Sequence, residues 1–350
     1  MEPSKETADG AAARASAESN VADTPAATGK KTTFGSKFKR HCKRFWWLDF
    51  LIFAAIVLVI ILPVIYVGVK HKAQSEMNKA TIEIGYQGIS NPKSNSIHLR
   101  LNTTVESHTS YHPDLEAFNA SLFLENTEPD IKPFGYITIP KTHVESNNKI
   151  NIDQELPVTD MDQFFAYNKM VINSEEFRLA VRGKPKLKLG GLPKYKVNYN
   201  KVVTMKGLNK LAGFAITSAQ VKLKPEPDGA TLLGKVSIPN PSVLSIEMGN
   251  VTMDLSVNGT YIGYTLIPNL TLEPERDNEF DMRSYVNTTL VLGLVAKGYT
   301  DLMLPVDIVG NSSINSEGEH LTYYEAAIKE NTLHTTLNLT EASGSSGLGS

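Results

Sequence analysis

Cysteine is nearly absent: the 350-residue chain has one, Cys42. No disulfide can form within the chain, a zinc ribbon is excluded, and any core must hold by apolar packing. Also missing are His-Glu-X-X-His, Gly-X-Ser-X-Gly, the P-loop and Gly-X-Gly-X-X-Gly, the common hydrolase, metalloprotease and nucleotide-binding signatures. No aromatic residue precedes Phe34, no Asn-X-Ser/Thr sequon precedes Asn102, and no acidic residue lies between Arg182 and Lys210. The net charge of −2 offers no general affinity for nucleic acid.

The most informative run is Phe50 to Val69 (FLIFAAIVLVIILPVIYVGV), twenty residues without a charge. At about 1.5 Å rise per residue such a helix spans the roughly 30 Å hydrocarbon core of a bilayer, where Pro63 is tolerable. The run is longer than a signal-peptide core and has a long segment ahead of it, so a membrane span is expected over 45–70. Close to its ends, seven basic residues lie before it (Lys30, Lys31, Lys37, Lys39, Arg40, Lys43, Arg44) against three after it (Lys70, Lys72, Lys79), which predicts a cytosolic N terminus. Trp46, Trp47 and Tyr66 suit interfacial belts. All eight sequons, at Asn102, Asn119, Asn250, Asn258, Asn269, Asn287, Asn311 and Asn338, follow the span, on the side predicted to be lumenal. Cys42 stands beside the span, where S-palmitoylation occurs and where an unmodified thiol is equally at home.

Residues 1–44 read as a disordered cytosolic tail with a basic juxtamembrane end, because Ala, Ser, Thr and Glu dominate and too little apolar surface is available to offset ordering entropy. Residues 341–350 (ASGSSGLGS follows Glu341) read as a flexible tail. Between them lie alternating segments: Ser96 to Val105, Ala120 to Asn126, Gly135 to Pro140, Gly234 to Pro241 and Val251 to Pro268. Turn signals stand at Asn91-Pro92, Gly190-Gly191, Pro225 to Gly229, Asn240-Pro241 and Asn258-Gly259. One helix is predicted over Met161 to Val171, capped by Thr159 or Asp160.

Gly135-Tyr-Ile-Thr-Ile-Pro140 recurs as Gly263-Tyr-Thr-Leu-Ile-Pro268, and each copy follows a sequon-bearing strand. The period suits two tandem sandwiches, 77–207 and 208–340. Arg182 to Lys210 holds nine basic residues. Lys184, Lys186, Lys188, Lys194 and Lys196 alternate with apolar residues about Gly190-Gly191, which predicts a hairpin with lysines on one face. Two readings stay open: an edge protected from aggregation, or a basic surface that meets anionic headgroups or the acidic second repeat.

Asn240-Pro241, then Val257-Asn-Gly-Thr-Tyr-Ile-Gly263 and the closing Ile267-Pro268, resemble the LEA-2 domain, an immunoglobulin-like β-sandwich of plant late-embryogenesis proteins. With Leu208 to Ile216 ahead of it and the type II layout, the chain is similar to fungal membrane proteins of unknown function that carry tandem LEA-2-like domains, related to vacuolar and lysosomal membrane proteins. The first repeat departs from the pattern: it lacks the Asn-Gly hairpin and has three extra residues between sequon and Gly-Tyr. The resemblance implies a mainly β fold of two immunoglobulin-like sandwiches, a vacuolar endomembrane location, lipid binding or transfer by the lumenal domains, no cofactor and no catalytic residues.

Two constellations carry chemistry in principle. Asp160-Met161-Asp162 is formally the Asp-X-Asp of lumenal glycosyltransferases, but it sits at a predicted helix start, where carboxylates suit the dipole, and no alternating strand-helix pattern surrounds it. His108 and His112 are four apart in SHTSYHPD, a loop ending at Pro113 with no third ligand nearby. A non-enzyme is expected, with no metal. The partners expected are the membrane, lipid in the lumenal domain and an unknown protein on the cytosolic tail. The alternative role is a membrane anchor or regulator, for example in vacuole function or autophagy, with a lumenal partner-binding module.

Overall fold

The computed structural model describes residues 34–109, 111–222, 224–299 and 303–338, with side chains from residue 46 onward except Lys297. Residues 1–33 of the tail expected over 1–44, the Cys42 side chain and the expected flexible end at 341–350 lie outside this description, while residues 34–44, expected to be disordered, are helical. The chain divides into two compact units, Met1–Ile61 and Leu62–Ser350.

The described part of the first unit is helical. Helix α1, Phe34–Pro63, begins ahead of the expected start of the span at 45, because the basic segment before Trp46 contains good helix formers and no breaker after Gly35. From Trp46 to Ile61 its large apolar side chains other than half-buried Val57 are exposed, which suits hydrocarbon surroundings. Among the described residues one helix, Trp46–Lys79, is long and apolar enough to cross a membrane.

The second unit is mainly β. It opens with the end of that helix: Pro63 lacks the N–H that would continue the regular ladder, and a π turn, Val64–Gly68, follows, with the Val69 N–H donating to the Val64 carbonyl. Helix α2, Val69–Lys79, continues from it. The largest sheet has ten strands. Its main path runs Ala215–Val221, Leu232–Asn240, Arg276–Val286, Thr260–Leu272, Leu244–Val257, Thr81–Ser90, Ser96–Glu106 and Asn147–Pro157, and Met303–Ile314 with Thr332–Asn338 branches from Leu244–Val257. A four-stranded sheet (Tyr199–Lys206, Glu176–Gly183, Phe118–Leu124, Gly135–Ile139) faces the first-half strands across one apolar core. A small sheet joins Tyr195–Lys196, Lys186–Lys188, Asp114–Leu115 and Thr142–His143.

Alternation wrote most of these strands. In Asn147–Pro157 every second side chain from Asn148 to Ile152 is buried, and in Tyr199–Lys206 Tyr199, Lys201, Val203 and Met205 point inward. The repeated Gly-Tyr strands also take equivalent partners: each pairs antiparallel with the sequon-bearing strand before it, Ala120 opposite Ile137 and Val251 opposite Ile267. The predicted helix forms as α3, Met161–Asn173, and the Asp160 carboxylate accepts the Gln163 N–H at 3.1 Å. Two further helices, α4 (Thr288–Gly298) and α5 (Thr322–Ile328), were not anticipated from sequence.

The two halves share more than a linker. Thr81–Ser90 pairs in parallel with Leu244–Val257 through Gln87, Gly88 and Ile89, so one sheet crosses the boundary expected at 207/208. Phe164 of α3 meets Tyr323 at the start of α5 edge-on, ring centroids 4.8 Å apart, and Gln87 donates to the Tyr167 hydroxyl at 2.7 Å. The loop after Ser90 is held by the second half: Asn315 donates to the Pro92 carbonyl at 2.9 Å and the Tyr323 hydroxyl to the Lys93 carbonyl at 3.1 Å.

Besides Thr260–Leu272 on its other edge, Leu244–Val257 can serve two partners along one edge because it is broken by a bulge. Its parallel pairing ends at Ile246, its antiparallel pairing with Met303–Ile314 starts at Asn250, and Gly249 between them has φ +69. A Cβ on Gly249 would stand 2.2 Å from the Ile314 carbonyl oxygen. Gly249→Ala is therefore expected to destabilise the full chain by about 3 kcal/mol, measured as a fall in the denaturation midpoint in detergent.

Candidate functional site

Two apolar cavities, one in each half, are the features of this unit with the volume and chemistry of a binding site. The first, about 430 Å³, lies between the helical segment that runs from Val64 through α2 and the small sheet. Val64, Gly68, Ala73 and Met77 line it from the helical side, and Leu187, Leu189, Leu192 and Tyr195 from the hairpin. The second, about 460 Å³, lies inside the second half between Ile216, Leu232, Met282 and Val306, with Val291 and Val295 of α4 on its wall. A much smaller void of about 50 Å³ sits in the first-half core among Ile97, Leu122 and Tyr167.

The first cavity exists because the helix end is fixed to the sheet by polar contacts on one flank. The Lys201 ammonium, buried beneath the last turn of α2, donates to the Met77 carbonyl at 2.6 Å and also to the Ala80 carbonyl. These are carbonyls a helix C terminus leaves without partners, and a cation there also meets the negative end of the dipole. Burial lowers the Lys201 pKa below its ordinary value. Gln74 clasps the main chain of Asn198, donating to its carbonyl at 2.9 Å and accepting its N–H at 2.7 Å. Nearer the membrane run, the Tyr195 hydroxyl donates to the Ile65 carbonyl at 3.0 Å. None of these partnerships was visible in the sequence; the one available signal was Lys201, a lysine at an inward-facing position of an alternating strand.

At the second cavity, α4 begins with Asn287, whose side-chain oxygen accepts the Leu290 N–H at 3.0 Å. The helix half-buries Leu290, Val291, Leu294 and Val295 and leaves Leu292 68% exposed. The turn beside this cavity is held by Asp228, which accepts from Arg283 Nε at 2.7 Å, the Ala230 N–H at 3.2 Å and the Tyr285 hydroxyl at 3.2 Å. The Arg283 bond, chiefly, holds the Asp228 pKa down at about 2 against an ordinary 3.8.

The five hairpin lysines are exposed while Leu187, Tyr195 and Val197 between them are buried, with Leu187 opposite Tyr195 and Lys186 opposite Lys196. Lys194 pairs with Glu116, whose carboxyl it holds below the usual range. Asn102, Asn119, Asn258, Asn269, Asn287 and Asn311 are exposed, and Asn250 and Asn338 are half-buried. Asp160 is occupied as the α3 cap. His112 neighbours His143 rather than pairing with His108, with ring centroids 6.3 Å apart, and His143 bonds Asp114 at 2.8 Å. Among the described residues no three His, Cys, Asp or Glu side chains converge as a metal site.

Residues 132–255 match a family described as a protein of unknown function (DUF3712). The matched stretch runs from ahead of the first Gly-Tyr strand into Leu244–Val257, so it draws on both halves. No curated protein matches the chain. Among solved structures, a bacterial adhesin from Mobiluncus mulieris with intramolecular disulfide, isopeptide and ester cross-links is 8% identical, over 72% of this chain and 83% of that one, with a TM-score of 0.21. Red sea bream transglutaminase is 12% identical over 74% of this chain and 31% of its own, TM-score 0.24, and the periplasmic chaperone SfaE 9% over 73% and 100%, TM-score 0.17.

Two outcomes follow from the local chemistry. Lys201→Met retains an apolar stem but leaves the Met77 and Ala80 carbonyls without their donor, so amide exchange in the last turn of α2 should accelerate by about tenfold or more, read by hydrogen exchange with mass spectrometry. Asp228 titrates lower in the folded chain than in the unfolded one, so its contribution is present above about pH 4 and is lost as pH falls through about 2. Asp228→Asn should flatten the stability curve across that window, measured by denaturant titrations at stepped pH.

Proposed function

We propose that this chain is a type II single-pass endomembrane protein whose lumenal β region binds or transfers lipid. The observation that carries the reading is the pair of apolar cavities, each within the roughly 300–1,000 Å³ of small-ligand sites. Walls of Leu, Val, Ile and Met give water few hydrogen-bond partners, so hydrocarbon is the occupant that restores the dispersion contacts an empty space forfeits. The resemblance to LEA-2 proteins points the same way and supplies the vacuolar location. Orientation rests on the seven-to-three excess of basic residues before the span, and glycosylation on sequons confined to its other side and exposed at six positions.

Native mass spectrometry of the full chain, released from nanodiscs, tests the lipid reading. Wild type is expected to retain one or two lipids after the detergent belt is stripped. Val291→Glu with Val295→Glu, two half-buried positions on the α4 wall, should lower occupancy of the second cavity by about tenfold or more while the thermal midpoint changes little. A wild-type chain that emerges with no retained lipid, and takes none from vesicles, would overturn the proposal. Orientation has its own check: N-glycosidase should reduce the mass of chain expressed in a eukaryotic host, and Asn102→Gln, Asn258→Gln and Asn311→Gln should each remove one step.

A further inference from the structure

The first cavity is built against the end of the apolar run, and its hairpin wall has a charged outer face that binding of an acyl chain alone does not use. We propose that the hairpin spanning Lys184 to Lys196 recognises the headgroups of anionic phospholipids in the leaflet from which the span emerges, selecting which lipid places an acyl chain in the first cavity. The inference rests on the lipid reading above and names its substrate class: anionic phospholipid in preference to zwitterionic.

Three observations on the second unit carry it. The first is position. Ile65 belongs to the uncharged run Phe50 to Val69, and the Tyr195 hydroxyl bonds its carbonyl at 3.0 Å, so the hairpin's buried face is fixed at the level of the run's last turns. A tyrosine with its ring against apolar side chains and its hydroxyl on a polar group suits a membrane interface; exposed Tyr111 lines the same cavity, and exposed Tyr66 follows Ile65 in the chain.

The second is the tip. Leu189 and Leu192, half-buried cavity walls, flank Gly190-Gly191, where Gly190 has φ +51 and a Cβ on either glycine would meet nothing within 4 Å. The turn is open and apolar on both shoulders, and those shoulders line the first cavity.

The third is charge. Lys184, Lys186, Lys188 and Lys196 are exposed and make no ion pair among the described residues; Lys194 alone is matched, by Glu116. Asp114, opposite Lys188 in register and bonded to His143, and Glu116, bonded to Lys194, offset part of this charge through space, at Lys188 and Lys186, and the rest of the face stays cationic. At about 3.3 Å per residue, Lys188 lies nearest the tip and Lys184 some four residues farther from it, so their effects should be graded. An edge needs only one or two lysines to discourage pairing. Four exposed lysines without a direct ion pair among the described residues, beside an apolar cavity, match a phosphate-bearing headgroup, whose attraction to basic residues is short-ranged and falls within a Debye length.

The test compares the full chain in nanodiscs of phosphatidylcholine with one-fifth phosphatidylserine. Retained lipids are counted and identified by native mass spectrometry. Wild type is expected to enrich phosphatidylserine over the bulk ratio, and K186S/K188S/K196S to bring it back to that ratio, a loss of about tenfold in selectivity, with total retained lipid unchanged. K206S/K224S/K235S removes equal charge elsewhere and should keep the enrichment. Retained lipid at the bulk ratio in both wild type and the hairpin variant would overturn this inference and leave the lipid reading standing. No retained lipid in wild type would overturn both. Carbodiimide cross-linking of Lys186 or Lys188 to second-half carboxylates, together with indifference to vesicle charge, would assign the hairpin to an intramolecular contact instead. Unchanged thermal midpoints in both triple variants show that folding is intact.

Discussion

The contact on which the candidate site depends is the capping of α2 by Lys201. The polar end of the helix, VKHKAQSEMNK, buries little apolar surface of its own, and although it continues from the apolar run its last carbonyls lack partners, so alone it would fray. A buried ammonium from the central part of Tyr199–Lys206 supplies those partners, and Gln74 closes the flank against Asn198. The cost is visible in the lysine itself, whose protonated form is disfavoured by burial. With that end pinned, Ala73 and Met77 pack on the small apolar cluster of Leu115, Leu187 and Val197, and the space left above them becomes a cavity instead of solvent.

A unit without disulfides must tolerate two such spaces. It does so by linking its halves into one apolar cluster: the parallel pairing at Gln87 to Ile89, the aromatic group of Phe134, Phe164, Tyr167, Tyr323 and Tyr324, and the loop after Ser90 held by Asn315 and Tyr323. The tyrosine hydroxyls there are deeply desolvated, which pushes Tyr167 up to about 12 and Tyr324 well above its ordinary value. Loss of material from the cavities is thus buffered by a core that neither half would have alone.

What was legible in the sequence followed from local periodicity. The mainly β character, the strands around Gly135 and Gly263, α3 with Asp160 at its cap and the alternation of the hairpin lysines all depend on neighbours within a few residues. The missed features are non-local or ambiguous. Thr288 to Gly298 is a short apolar run that fits a strand or a helix equally. The pairing of Thr81–Ser90 with Leu244–Val257 joins segments far apart, and its only local trace is Gly249. The role of Lys201 requires knowing that the polar stretch after the apolar run is a helix that ends over that strand. Of the candidate site, its hairpin wall could be foreseen and its helical wall could not.

Whether the end of the span is a fixed wall of the β unit can be measured directly by double electron–electron resonance. Spin labels at Lys70→Cys and Lys206→Cys, both exposed positions, in a Cys42→Ser full chain in nanodiscs report the separation of helix and sheet. A single narrow distance distribution in the wild-type background, broadened when Lys201 and Gln74 are replaced by Met and Ala, is the result that follows from a capped and docked helix. A distribution already broad before those replacements, and unchanged by them, would mean that the helix is a loose tether and that the first cavity is not a standing feature of the protein.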